Sequence, residues 1–152
     1  MTSKSDLWTI RPARERDTDI LADIYLRVRR MTFLWVDPGK FHSEDFAIHT
    51  KGERVFVCED RNGTIAGFMA LWEPDDFIHM LYILPAFQGR GAGKALLAAL
   101  PEWPKRHYRL KCLVKNTRAI AFYRGLGFAI IGDGSSPEGD YKDMQFGGDQ
   151  SL

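Results

Sequence analysis

The chain has 152 residues, 45% of them hydrophobic and 27% charged, with a formal net charge of +1. That length supports one domain, 1–152, with a sizeable core, and the dispersed charge excludes a strongly basic nucleic-acid binder or membrane-surface protein. No apolar run reaches bilayer-spanning length and the polar stretch Met1 to Asp6 lacks the core of a secretion signal, so a cytoplasmic protein is expected.

Trp8-Thr9-Ile10-Arg11 alternates and is cut off by Pro12, which predicts a short edge strand. Asp17 or Thr18 then caps a helix whose Leu21, Ile24, Val28 and Met31 recur at helical spacing and form an apolar stripe. Arg27, Arg29 and Arg30 read as the solvated face of that helix. Met31 to Val36 is apolar and would be costly if wholly exposed, so part of it is expected to face a pocket. Phe41 to Thr50 predicts a second short helix. Val55 to Glu59 and Thr64 to Trp72 read as antiparallel strands joined by a two-residue turn at Asn62-Gly63. Glu73-Pro74-Asp75-Asp76 breaks the pattern, and Phe77 to Leu84 resumes as an apolar, central strand interrupted by His79. Cys58 and Cys112 lie inside apolar runs and read as buried thiols rather than a disulfide, a metal site or a nucleophile.

The strand ending at Leu84 runs through Pro85 into Gln88-Gly89-Arg90-Gly91-Ala92-Gly93-Lys94 and then directly into a helix, Lys94 to Leu100. Glycines at such a turn allow tight backbone paths, and the first N–H groups of the helix lack intrahelical partners, so the turn is an anion site suited to phosphate. A P-loop is excluded because Gln88 stands where its first glycine belongs and Ala95 replaces its hydroxyl residue. A dinucleotide fingerprint is excluded because Lys94 occupies its last glycine position.

Pro101 and Pro104 end the helix, Arg109 to Val114 alternates as a strand, and Asn116-Thr117 caps a helix from Arg118 to Gly125. Phe128 to Ile131 is a strand, Gly132 to Gly139 a loop, Asp140 to Phe146 a last strand, and 147–152 a frayed tail. The order β-α-α-β-β-β-α-β-α-β-β predicts an α/β (α+β) fold: a mixed, mostly antiparallel sheet of about seven strands with four helices on both faces. An edge strand offers a route to a homodimer.

Two stretches carry a resemblance. Leu81-x-Ile83-x-Pro85-x-x-Gln88-Gly89-x-Gly91-x-Gly93 followed by Leu96-Leu97 resembles the acyl-CoA-binding motif of the GCN5-related N-acetyltransferases (GNAT). Asn116-x-x-Ala119-x-x-Phe122-Tyr123-x-x-x-Gly127-Phe128 is similar to the family's asparagine, its tyrosine-bearing helix and the Gly-Phe that follows. The resemblance spans about Trp8 to Phe146. It implies transfer of an acetyl group from acetyl-CoA, without a metal, to a primary amine of a small molecule or peptide by direct attack in a ternary complex. The alternative is a non-catalytic acyl-CoA-binding sensor.

By the same resemblance the turn amides from Gln88 through Gly89, Arg90, Gly91, Ala92 and Gly93 to Lys94 hold the CoA pyrophosphate. The backbone of Leu81, Tyr82 and Ile83 meets the pantetheine arm and thioester oxygen, with Asn116, Ala119, Phe122 and Tyr123 alongside. Tyr123 matches the family's proton-donating tyrosine. His79, two residues before Leu81 and so expected on the same strand face, is the candidate base, with Glu73, Asp75, Asp76 or a water as rivals. Trp72, Phe77 and the 31–36 run are candidate pocket walls, and carboxylates near Asp75 and Asp140 are candidate attractors of an amine.

Overall fold

The computed structural model describes residues 7–147; the polar amino-terminal stretch 1–6 and residues 148–152 of the expected tail lie outside the described residues. The elements run β1 (Thr9–Pro12), α1 (Thr18–Thr32), α2 (Asp45–His49), β2 (Arg54–Glu59), β3 (Ile65–Trp72), β4 (Phe77–Ile83), α3 (Ala92–Ala98), β5 (Arg109–Leu113), α4 (Thr117–Leu126), β6 (Phe128–Ser136) and β7 (Gly139–Phe146). They build a seven-stranded sheet ordered β1-β2-β3-β4-β5-β7-β6, the mixed sheet with four helices that the element order predicts. Every neighbouring pair is antiparallel except β4 and β5.

The core lies on both faces of β3, whose Phe68 and Ala70 pack toward α1 and α2 while Met69 and Leu71 pack toward α3. Two-sided burial explains why this strand is apolar without alternation. On α1 the stripe Leu21, Ile24 and Val28 is buried, with Tyr25 beside it, but Met31 is 55% exposed because the helix ends one residue later. Leu34 is exposed too, so of the apolar 31–36 run it is Phe33 that reaches the cavity described below. Arg29, expected on the solvated face, is instead buried.

Asp17 does not cap α1 with its side chain. Its carboxylate takes two hydrogen bonds from Arg11, at 2.8 and 3.0 Å, and one from the Arg14 N–H at 2.7 Å, tying β1 to the start of α1. The β2–β3 connection is a three-residue loop rather than a two-residue turn: Asp60 N–H donates to Thr64 O, Gly63 N–H donates to Asp60 O, and Gly63 has φ 80°. The Asp60 carboxylate fixes this loop by accepting from Asn62 and Thr64 N–H.

The stretch Gly132 to Ser136, expected as loop, continues β6 in register with β7 as far as Ser136 opposite Gly139. Ladder hydrogen bonds there override the low strand propensity of Gly and Ser. Among the described residues no helix is long and apolar enough to cross a membrane.

Candidate active site

β4 and β5 pair only at Phe77 with Arg109 and Ile78 with Leu110. Beyond that point β4 follows β3 as far as Gly67 opposite Ile83, while β5 follows β7 to Leu113 opposite Tyr141. The parting begins beside a bulge: Met80 faces Ala70 and Ile78 faces Leu71, so His79 has no partner across the ladder. An extra residue bends its strand and re-aims side chains. The result is a wedge, open on the β5 side of β4, holding a cavity of about 240 Å³.

The β4 wall of this cavity contains His79, Met80, Leu81 and Tyr82, and the β5 wall contains Lys111, Cys112 and Leu113. α4 contributes Ala119 and Tyr123, one helical turn apart, together with Asn116 at its cap. The Asn116 Oδ1 accepts from Ala119 N–H at 3.4 Å, a long contact that leaves the side-chain nitrogen uncommitted among the described residues. From the other face of the sheet come Tyr25 and Arg29 of α1 and His49 of α2.

Tyr123 is 9% exposed and packs edge-on to Phe122 and Phe128 at ring distances of 5.2 and 5.5 Å. Burial first, and then the neighbouring Cys112, push its phenol well above the ordinary range, so it stays protonated through the neutral region. Its hydroxyl has no hydrogen-bond partner among the described residues. Burial also pushes the Cys112 thiol in the opposite wall up to about 11.

His79 Nδ1 meets both carboxylate oxygens of Glu53, at 2.9 and 2.8 Å. The bulge breaks the two-residue alternation on which His79 and Leu81 would share a face: Leu81 packs against the cluster under α3 and α4, whereas His79 turns to Glu53. Both line the cavity.

The glycine turn lies beyond the cavity at the end of β4. Gly89 and Gly91 have φ of 77° and 88°, left-handed values that a side chain resists. Gln88 Nε2 donates to Ile83 O at 2.9 Å and Trp8 Nε1 donates to Arg90 O at 3.0 Å, so side chains from two elements brace the turn. Among the described residues the N–H groups of Gly89, Arg90 and Gly91 donate to no main-chain carbonyl, and those of Ala92 and Gly93 lie in the first turn of α3. Gly93 packs on the Phe122 ring, which links the turn to the tyrosine-bearing helix. The chain matches the acetyltransferase (GNAT) family over residues 19–128.

It belongs to that family. An uncharacterized N-acetyltransferase of Mycobacterium tuberculosis is 34% identical over 104 residues, covering 60% of this chain and 67% of that protein. The crystal structure of a GCN5-related N-acetyltransferase from Rhodopseudomonas palustris superposes with a TM-score of 0.76 at 18% identity, covering 96% of this chain and 98% of that one. A spermidine N-acetyltransferase from Vibrio cholerae, solved in complex with CoA and spermine, gives a TM-score of 0.67 at 22% identity, with 92% and 95% covered. At that identity the two superpositions show a shared fold alone.

The GNAT wedge thus gathers His79, Leu81, Tyr82, Asn116, Ala119 and Tyr123 around one cavity, while Ile83, Phe122 and the turn 88–94 are not part of its lining. The rival acids lie elsewhere. Glu73 pairs with Arg54 at 3.6 Å, Asp76 pairs with Arg106 at 3.4 Å, and neither they nor Asp75 lines the cavity. Trp72, Phe77 and Asp140 are also outside it, Asp140 accepting from Ser135 Oγ. Tyr25, Arg29, His49 and Glu138 in the lining, and Glu53 behind His79, stand in no motif of the sequence. Only the Tyr25 and Arg29 pair carries a local signal, its four-residue spacing on α1. Among the described residues no group of three or more His, Cys, Asp or Glu side chains could hold a metal ion.

Proposed function

We propose that this GNAT is an acetyl-CoA-dependent N-acetyltransferase acting on a primary amine, and that Tyr123 and His79 move its protons. The observation that carries the reading is the parting of β4 from β5 beside Tyr123, with the glycine turn at the far end of β4. Acetyl-CoA supplies the activated acyl group. The N–H groups of Gly89, Arg90 and Gly91, which donate to no main-chain carbonyl among the described residues, suit a pyrophosphate. The backbone of Leu81, Tyr82 and Ile83, with no strand beside it on the β5 side, suits an arm that pairs as an added strand and a carbonyl that gathers charge.

With Nδ1–H held on the Glu53 carboxylate, His79 Nε2 is left as the acceptor for a proton from the amine. Tyr123 Oη gives its proton to the departing sulfur. Burial keeps that phenol protonated through the neutral region, so the proton is there to give. A thermal-shift comparison of acetyl-CoA, CoA, ATP and NAD tests the reading. Saturation a hundredfold above the dissociation constant adds about 2.7 kcal/mol; that gain is expected with acetyl-CoA and CoA, and a gain with ATP or NAD alone would overturn the proposal.

A further inference from the structure

Arg29 is 6% exposed and forms part of the cavity wall. Its guanidinium lies against two aromatic rings, with Cζ 3.6 Å from the Tyr25 ring centroid and 4.8 Å from that of Phe41. Nε donates to Tyr25 O at 3.1 Å, and Nη2 donates to Asp45 Oδ2 at 3.1 Å and to His42 O at 3.4 Å. Nη1 has no acceptor among the described residues. A buried guanidinium is costly unless its donors are satisfied. With Nε and Nη2 engaged, Nη1 is the nitrogen that remains for a ligand.

We infer that Arg29 reads a carboxylate on the acceptor, so that the amine acetylated belongs to a small amino acid. This rests on the proposed acetyl transfer and names its acceptor class. A planar donor edge fits a carboxylate, and a charge-assisted hydrogen bond in a largely buried site is among the stronger polar contacts. Lys111 also borders the cavity, but its Nζ lies 4.7 Å over the ring of Tyr141, which lines a separate pocket, so the cationic group of the site is Arg29. Glu138, exposed to solvent, is the carboxylate in the lining itself, Glu53 stands behind it on His79, and Asp45 offsets part of the Arg29 charge. A cavity of about 240 Å³ that must also admit an acyl end leaves room for a small molecule. A polyamine would bring a second cation against Arg29.

The test is acetyl-CoA-dependent thiol release by the full chain, with the twenty L-amino acids, their α-amides and spermidine as acceptors. The best acceptor is expected to be a free acid, and amidation of its carboxylate is expected to lower kcat/KM about fiftyfold. In Arg29→Gln the acid-to-amide ratio falls to within about threefold while the KM for acetyl-CoA holds; Arg29→Lys keeps part of the preference. Arg29 also ties α1 to the 42–45 segment, so melting curves accompany the variants. If Arg29→Gln does not fold, the wild-type acid-to-amide ratio decides alone. Amides matching the acids, spermidine exceeding every acid, or transfer to none of the acids overturns the inference and leaves acetyl-CoA binding intact. Failure of acetyl-CoA to bind at all removes the acetyltransferase reading itself.

Discussion

Glu53 holds His79 by both carboxylate oxygens, 2.8 and 2.9 Å from Nδ1, although the two residues lie 26 positions apart and His79 occupies the unpaired position of a bulge. A carboxylate on Nδ1 fixes the imidazole tautomer and aims Nε2. If His79 is the base, His79→Gln lowers kcat/KM about a hundredfold and flattens the ascending limb of its pH profile, and Glu53→Ala costs about tenfold. An unchanged rate and limb in His79→Gln would take His79 out of the mechanism.

Tyr123→Phe removes one oxygen from a packed ring and leaves the contacts with Phe122 and Phe128 in place. Turnover is expected to fall at least about tenfold with the KM for acetyl-CoA nearly unchanged, the pattern of a group acting in the transition state. Steady-state kinetics checks this, and an undiminished kcat would assign the ring to packing alone.

At Gly91, φ of 88° makes any side chain strained, and the same backbone is proposed to meet the pyrophosphate. Gly91→Ala should cost about 1–2 kcal/mol of stability and raise the KM for acetyl-CoA roughly tenfold or more. Gly125 on α4 is the control: a Cβ there meets nothing within 4 Å. Gly125→Ala is expected to stabilise by up to about 1 kcal/mol with kinetics unchanged. Equal KM effects at both positions would contradict the role given to the turn.

The Arg11 side chain, with the Arg14 N–H adding to it and burial opposing, holds the Asp17 carboxyl down to about 2. A folded value below the unfolded one means that the pair stabilises above the ordinary carboxylate range and that this contribution is lost as pH falls from 4 toward 2. Asp17→Asn should therefore lower the melting temperature by about 5–10 °C at pH 7, with the gap to wild type closing between pH 4 and 2. A gap independent of pH would assign the loss to packing.

What was legible in the chain is what depends on near neighbours. The glycine spacing at 89, 91 and 93, the Asn116 cap and the α1 stripe each follow from local backbone geometry, and the fold and family followed from them. The misread features depend on distant partners. Gly132 to Ser136 is strand because β7 lies alongside, Arg29 is buried because Tyr25 and Phe41 cover it, and His79 leaves the face of Leu81 because β3 and β4 pair with a bulge. Glu53, near the start of β2, carries no motif at all; only the folded sheet brings it to His79.

The most direct measurement of the account is mass-spectrometric analysis of amine acceptors incubated with the chain and isotope-labelled acetyl-CoA, with CoA thiol release followed in parallel. The expected result is a labelled N-acetyl product formed one for one with released thiol. Tight binding of acetyl-CoA with no labelled amine from any acceptor would contradict it and leave a chain that binds acyl-CoA without turning it over.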